Sequence, residues 1–163
     1  MNLAFSTYDV FTDTRFAGNP LAVVYDADAL SDAQMQTIAR EFNLSETIFV
    51  RTPENAQHEA SVRIFTPTKE LPFAGHPTIG CAIALAERRH AQGGTNDILL
   101  VLEERVGLVR CGIKIGANGE ASFAEFTAPK LSAAAGSDPN VDAAAHALGI
   151  SSLDIGFDKH MPS

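Results

Sequence analysis

Hydrophobic and polar positions change their period several times along the chain, and each change predicts a new element. Residues 3 to 11 alternate as in a half-buried strand, and the apolar run from Leu21 to Tyr25 predicts a buried strand. The period then becomes helical, with apolar side chains at i, i+3, i+4 and i+7. They are Met35, Ile38, Ala39 and Phe42.

The ends of this predicted helix are marked by its flanking residues. Ser31 and Gln34 have the spacing of a capping box, in which each side chain bonds the backbone N–H of the other residue. Asn43 tolerates the left-handed conformation that ends many helices. We therefore predict a helix that begins after Ser31 and ends near Asn43.

Two further strands and a second helix are expected next. Residues 46 to 50 and 59 to 65 have strand patterns, and a proline-bearing loop leads from there to a helix with Pro77 in its first turn. Residues 79 to 86 are apolar on every side, which predicts a buried helix. The basic residues 88 to 90 suit the negative end of its dipole.

The following segment predicts more strands. Residues 98 to 102 and 106 to 110 read as two of them, and Asn118-Gly119 between alternating apolar positions predicts a tight β-hairpin. Residues 1 to 127 therefore form an α+β unit in which we expect a strongly curved sheet around a central helix.

The composition changes after residue 127. Pro129, a run of alanines and Gly136 predict a linker over residues 128 to 138. A short helix is expected to follow and to end at Gly149. The residues beyond it are too few for a core of their own, so residues 139 to 163 are expected to start an incomplete second lobe.

The composition is that of an acidic globular protein. The 163 residues include 12 Lys and Arg against 20 Asp and Glu, which gives a net charge of −8. Duplex nucleic acid requires a basic surface and is not an expected partner. No apolar run reaches the roughly 20 residues of a membrane helix, so no membrane partner is expected. Cys81 and Cys111 are interpreted as small buried residues of a cytoplasmic protein.

The richest candidate chemistry lies in the loop that leads into the second helix. The first N–H groups of a helix have no partners within it, so the amides around Gly75 to Thr78 could bind a carboxylate or a phosphate. His76 would lie beside that site and could move a proton near neutral pH. The alternative is an ordinary helix start with Pro77 in its first turn and Thr78 satisfying the amides.

Glu46 and Asn19 are the other candidates, and each has an ordinary alternative. Glu46 begins an apolar strand, where partial burial would make it a general base or acid; a solvated strand-end glutamate fits equally. Asn19 could present its amide to a ligand carboxylate or could cap its own turn. No metal-ligand spacing and no phosphate-binding or nucleophile-elbow motif is present.

Several of these segments together resemble the phenazine biosynthesis PhzF-like family, in order and in spacing. The resemblance covers residues 1 to 127 well and the remainder loosely. The matching segments are residues 9–12, 16–24, 35–47, 63–67 and 71–78.

The resemblance implies a diaminopimelate-epimerase-like fold, with two similar lobes that face each other across a cleft. Each lobe wraps a curved, mostly antiparallel sheet around a central helix. The family's best-understood enzyme isomerises a dihydro-hydroxyanthranilate without a cofactor, by proton transfer through a glutamate. That glutamate matches Glu46, and the Gly-His pair of the family matches Gly75 and His76.

The resemblance makes Glu46 and His76 the expected catalytic residues, with no cofactor and no metal. The expected binding residues for a small unsaturated carboxylate are Asn19, Ser45, Gly75, Pro77 and Thr78. Racemases of this fold place a cysteine just before the glycine, and Ala74 stands there, so two-thiol racemisation is disfavoured.

The second lobe of the family supplies a catalytic aspartate and a Gly-Ser segment, and nothing after Leu131 resembles that motif. We therefore expect a truncated chain or a natural half that acts with a missing second lobe or as a homodimer. Two other functions stay open: a non-catalytic, self-pairing binding module, and a thiol-independent racemase or epimerase.

Overall fold

The computed structural model describes residues 2–91, 96–117, 120–130 and 140–155, which divide between two compact units, Met1–Pro129 and Lys130–Ser163. The strands described are β1 (Phe5–Val10), β2 (Asn19–Val24), β3 (Glu46–Arg51), β4 (Ala60–Phe65), β5 (Glu70–Leu71), β6 (Asp97–Glu104), β7 (Gly107–Lys114) and β8 (Phe123–Phe126). The α-helices described are α1 (Asp32–Phe42), α2 (Gly75–His90) and α3 (Val141–Leu148).

The strands of the first unit form one mostly antiparallel sheet. Its order is β1-β2-β3-β4-β6-β7-β8, and β5 pairs with β4 outside this path. The β2–β3 and β4–β6 pairs are parallel, and the other pairs are antiparallel. Both end strands, β1 and β8, contact α2, so the sheet curls around this helix. The expected curved sheet around a central helix is confirmed.

The helix α1 has the ends that the sequence predicts. The Ser31 hydroxyl accepts from the Gln34 N–H, and the Gln34 side chain accepts from the Ser31 N–H, which makes a capping box. Asn43 ends the helix with φ 52°. The buried face of α1, which includes Met35 and Ala39, packs on the outer side of the sheet against Phe49 and its neighbours.

The helix α2 fills the inner side of the sheet. Its residues from His76 to Ala82, with Ala84 and Ala86, are buried, as the apolar pattern predicts. Gly80 permits the close approach of the helix to the first two strands, because a Cβ at this position would overlap side-chain atoms of Val10 and Leu21. The position of α2 therefore depends on the absence of a side chain at residue 80.

The predicted hairpin near residue 118 agrees with the strand pairing. Strands β7 and β8 are antiparallel, with Lys114 opposite Phe123. Between these strands, the Glu120 N–H donates to the Ala117 carbonyl oxygen over 3.0 Å. Residues 118 and 119 themselves lie outside the described residues.

In the second unit, the Asn140 side chain caps α3 by accepting from the N–H groups of Asp142 and Ala143. Gly149 ends this helix with φ 69°, where the sequence predicts the end. Most of the predicted linker, residues 131–138, lies outside the described part of the chain. Within the described ranges, no helix has the length and apolar character needed to cross a bilayer.

Candidate functional site

Three elements of the first unit begin close together and bring the candidate residues to one place. Strands β2 and β3 are parallel neighbours with Leu21 opposite Glu46, so the starts of both strands lie at the same edge of the sheet. Asn19 begins β2, Glu46 begins β3, and His76 is the second residue of α2. Residues far apart in the sequence therefore share one site.

Glu46 and His76 form a hydrogen-bonded pair. His76 Nδ1 lies 2.8 Å from Glu46 Oε2, and His76 Nε2 lies 3.0 Å from the Asn19 carbonyl oxygen. The side chain of Glu46 is 19% exposed and that of His76 is 9% exposed. The carboxylate thus remains accessible while the imidazole is held at both nitrogens.

The partners of His76 fix how many protons the pair holds. A carbonyl oxygen only accepts, so Nε2 must donate and carries a proton. The contact between Nδ1 and Glu46 needs a second proton, which lies either on the imidazolium or on a protonated Glu46. The pair therefore shares one proton between a nitrogen and a carboxylate oxygen, and both residue types occur as general acids and bases.

The Asn19 carbonyl is held in position by its neighbours in the structure. Gly18 passes so close to the backbone of Val10 that a side chain at residue 18 would overlap the Val10 carbonyl oxygen. The Ser45 hydroxyl donates to Asn19 Oδ1 over 3.0 Å. Asn19 and Ser45 therefore join the Glu46–His76 pair, and Asn19 begins a strand rather than capping a turn.

The start of α2 presents free backbone donors. The first N–H within the helix that bonds a preceding carbonyl is that of Thr78, which donates to Ala74 over 3.2 Å. In the part of the chain that the structure describes, the N–H groups of Gly75 and His76 have no acceptor, and Pro77 has no N–H. Two amides at the positive end of the helix dipole are therefore available to an anion.

Pro77 and Thr78 are buried in the first turn of α2. The Thr78 hydroxyl lies 2.7 Å from the Ala74 carbonyl oxygen and 2.8 Å from Glu104 Oε1, so it is directed into the protein. Their expected contact with substrate stays a prediction. The hydroxyl does not satisfy the helix amides, which was the alternative from the sequence.

Phe11 is a site neighbour that the sequence analysis does not identify. Its ring centroid lies 6.0 Å from that of His76, and the residue is 71% exposed. The φ of Phe11 is 64°, an unusual conformation for a large side chain. Because Phe11 follows an alternating strand pattern, the pattern alone gives no sign of this turn beside the imidazole.

Glu104 is a second residue that sequence analysis misses. It lies at the end of β6, is 8% exposed, and bonds Thr78 from inside the lobe. Burial raises the pKa of its carboxyl from 4.5 to about 7, although the bond from Thr78 acts in the opposite direction. In the sequence it stands in Glu103-Glu104-Arg105, which is typical of a solvated turn.

The two thiols lie in the inner core, away from solvent. Cys81 and Cys111 are free and buried, as the sequence predicts. Burial raises the pKa of the Cys111 thiol to about 12, and burial also raises the pKa of Cys81. Neither thiol occupies the position before Gly75, where Ala74 stands.

The comparison with protein families decides the assignment. The family model described as phenazine biosynthesis-like protein matches residues 8–162. The chain belongs to this family. The expectation from the sequence motifs is confirmed, and so is the α+β, diaminopimelate-epimerase-like lobe.

Curated relatives of this phenazine biosynthesis-like chain are named as isomerases. An uncharacterised isomerase of Mesorhizobium japonicum is 50% identical over 153 residues, which are 94% of this chain and 49% of the relative. The trans-2,3-dihydro-3-hydroxyanthranilate isomerase of Pseudomonas fluorescens is 50% identical over 101 residues, or 62% of this chain and 34% of the relative. The chain thus spans half or less of the length of these relatives.

Solved structures give the same picture. A predicted epimerase from Pseudomonas aeruginosa superimposes with a TM-score of 0.75 at 31% identity, covering 94% of this chain and 53% of the other. A PhzF-family phenazine biosynthesis protein from Bacillus anthracis gives 0.72 at 33% identity, covering 96% and 50%.

Proposed function

We propose that this chain supplies half of the active site of a cofactor-independent isomerase that moves a proton between two carbons of a small unsaturated carboxylate. The observation that carries the proposal is the 2.8 Å contact of Glu46 with His76, whose second nitrogen is committed to the Asn19 carbonyl. Relatives named as isomerases support the same class of reaction.

In this proposal, the substrate carboxylate binds the free N–H groups of Gly75 and His76. The positive end of the α2 dipole favours the negative charge there. The reacting carbons then lie near Glu46, and the exposed ring of Phe11 forms an apolar wall. Fixed amides that stabilise charge before and during the reaction lower the barrier without reorganisation.

The proton transfer balances within the substrate and Glu46. The Glu46 carboxylate takes a proton from one carbon, and the electrons of that C–H bond delocalise over the neighbouring double bond toward the carboxylate. Glu46 then returns the proton to another carbon, which shifts the double bond. His76, charged while Glu46 is ionised, keeps the pair hydrogen-bonded through both states.

In this proposal, the second half of the cleft comes from a further lobe or from a second copy of the chain. The share of the relatives that the chain covers, about half for the Mesorhizobium protein, supports this part of the proposal. We also propose that the protein works in the cytoplasm, because both cysteines are free and buried, which suits a reducing compartment.

The test is exchange of solvent deuterium into trans-2,3-dihydro-3-hydroxyanthranilate, the substrate in the name of the Pseudomonas relatives. It uses a longer protein in which a second lobe follows this chain. We expect Glu46→Gln to lower the exchange rate at least about 100-fold, since general acid and base groups contribute on this scale. Glu41→Gln, an exposed carboxylate on α1, is the matched control and should keep the rate. Equal and measurable rates for Glu46→Gln and the unsubstituted two-lobed protein would refute the role of Glu46.

A thiol-independent racemase or epimerase is the second candidate. It is favoured by the similarity to the predicted epimerase from Pseudomonas aeruginosa. The distinction is measurable, because an epimerase changes optical rotation and leaves the constitution of its substrate unchanged. Loss of rotation with an amino acid or hydroxyproline would select this function over isomerisation.

A self-pairing binding module is the third candidate. A groove of about 560 Å³ runs beside α2 between β1 and the segment that leads into β8, lined by Phe11, Ile83 and Phe123 among others. Light scattering after size exclusion tests whether a second copy is the partner. A monodisperse monomer would contradict self-pairing and leave a further lobe as the partner.

A further inference from the structure

The inner side of the proposed site contains a carboxyl group that the proton transfer does not use. Glu104 Oε1 lies 2.8 Å from Thr78 Oγ1, and Glu104 Oε2 is buried with no partner among the described residues. A second bond joins the same regions, because the Val106 N–H donates to the Pro72 carbonyl over 3.1 Å. The β6–β7 turn thus holds the loop before α2 and its first turn.

Donor counting determines the protonation state that suits this arrangement. The Thr78 hydroxyl has one proton and two close oxygens, the Ala74 carbonyl at 2.7 Å and Glu104 Oε1 at 2.8 Å. A carbonyl and an ionised carboxylate both accept only, so one contact would lack a proton if Glu104 were ionised. If Glu104 is a carboxylic acid, it donates to Thr78, which donates to Ala74, and both contacts are satisfied.

We propose that Glu104, as a neutral carboxylic acid, is the positioning residue that fixes the first turn of α2 through Thr78 and the Ala74 carbonyl. Ala74 is the N-cap of α2 and has no side-chain cap of its own. The hydrogen bonds from Glu104 through Thr78 to Ala74 hold this residue from inside the lobe and leave the Gly75 and His76 N–H groups free. They orient the Gly75 and His76 amides and the imidazole that meets Glu46, so their role in the reaction rests on the proposed function.

The surroundings of Glu104 favour the neutral form. The titratable groups that interact with it are the thiols of Cys81 on α2 and Cys111 on β7, whose raised pKa values keep them uncharged. The neighbouring polar cavity, which Glu104 also lines, contains further charged or titratable side chains. They are Arg51, Glu54, His58, Arg63, Glu103 and Arg105. Arg63 and Arg105 are paired with Glu70, and no ion pair with Glu104 is present among the described residues.

The experiment is an NMR titration of the 163-residue chain, from about pH 4 to about pH 9, that follows glutamate side-chain carboxyl carbons and backbone amides. The signal that Glu104→Gln removes is assigned to Glu104. We expect its midpoint near the value of about 7 that burial produces. The amides of Gly75, His76 and Thr78 should shift with the same midpoint, because ionisation removes the donor to Thr78.

The Glu104 and Thr78 variants test whether Glu104 positions the first turn of α2 or is only a buried carboxyl group. Glu104→Gln keeps a neutral donor. In this variant, the amide signals of Gly75, His76 and Thr78 should stay at the chemical shifts that the unsubstituted chain shows at low pH, with no change near pH 7. Thr78→Val should leave Glu104 titrating while the amides no longer follow, and Thr78→Ser should restore the coupling. Glu125→Gln, an exposed carboxylate on β8, is the control and should leave the step unchanged.

Two outcomes would overturn the proposal: a Glu104 midpoint near 4.5, or an amide step that persists in Glu104→Gln. If that variant does not fold, the unsubstituted chain and the two Thr78 variants give the same decision. In the deuterium-exchange assay, Glu104→Gln should keep the rate and flatten its change around pH 7, and Glu104→Leu should lose at least about tenfold. Coupled amides without any exchange would reject the proposed function and leave the positioning intact.

Discussion

The described part of the chain holds two imidazole–carboxylate pairs with almost equal contact distances. His76 and Glu46 are 2.8 Å apart, and His58 and Glu103 are 2.7 Å apart. Glu103 also accepts from the N–H groups of Glu54 and Asn55, so its lone pairs are committed to a loop. No backbone donor among the described residues occupies Glu46.

The other partners of the carboxylate therefore decide what the same two residue types can do. The bonds from the backbone amides of Glu54 and Asn55 hold the pKa of Glu103 below its ordinary value, which keeps the carboxylate ionised. The His58–Glu103 pair therefore fixes the loop that contains these two residues. Glu46 makes no such backbone bond among the described residues. The two pairs therefore share their residue types and contact distances, and they differ in the other partners of the carboxylate.

The largest expected effect comes from replacing the histidine of each pair by glutamine. His76→Gln removes the group that holds the second proton of the Glu46 pair, and we expect the deuterium-exchange rate to fall about 100-fold. His58→Gln removes an imidazole from an equally short pair and should change the rate less than about twofold. Equal losses in both variants would show that the two pairs do not differ as their partners suggest.

A second prediction compares adjacent carboxylates on β6 by the pH dependence of the free energy of unfolding. The folded-state pKa of Glu104 lies above its ordinary value of 4.5, so its contribution to stability is present below pH 4.5 and is lost as the pH rises to about 7. The loss amounts to about 3 kcal/mol at most. Glu104→Gln should abolish this decline in urea titrations.

Glu103 should have the opposite sign. Its folded-state pKa is lowered, so its contribution is present above the ordinary value of 4.5 and is lost as the pH falls through the folded-state value. Glu103→Gln should make the acid side of the stability profile shallower and leave the neutral side unchanged. Identical profiles for the two variants would contradict the assignment of one residue to each pH range.

The smallest expected effect concerns the thiols, which flank Glu104 but take no part in either pair. Iodoacetamide at about pH 8 should leave the folded chain unlabelled and label both cysteines in urea, because thiolates react and buried thiols with raised pKa values do not. Cys111→Ala should preserve the exchange rate. Rapid labelling accompanied by loss of exchange would bring thiol chemistry back into consideration.

Local chemistry made much of the fold predictable. The Ser31–Gln34 capping box and the left-handed Asn43 define α1 in the sequence as they do in the structure, because both signals act within a few residues. The pairing of β7 with β8 was predictable in the same way, because alternating apolar positions flank Asn118-Gly119 in the sequence. In the structure, the two strands pair with Lys114 opposite Phe123.

The site was predictable only in part, because its groups meet through tertiary contacts. Residue patterns alone leave Glu46 open between a general base and an ordinary strand-end glutamate, and they place His76 at a helix start. The family resemblance makes both residues the expected catalytic ones, and their contact is seen only in the fold. Neither the residue patterns nor the family resemblance identifies Glu104, because its burial depends on how α2 packs against β6. A pattern that places charges at a turn cannot show that one of them faces inward.

Gly80 gives the core a mechanical connection to the site. A methyl group at this position would act as a wedge against Val10 and Leu21. Val10 lies opposite Asn19 in the β1–β2 register, and Leu21 is two residues further along the strand that begins with Asn19. Gly80→Ala would therefore displace Val10 and Leu21, which hold the start of β2, and would shift the Asn19 carbonyl that bonds His76. The substitution would do this without changing any residue of the proposed substrate site.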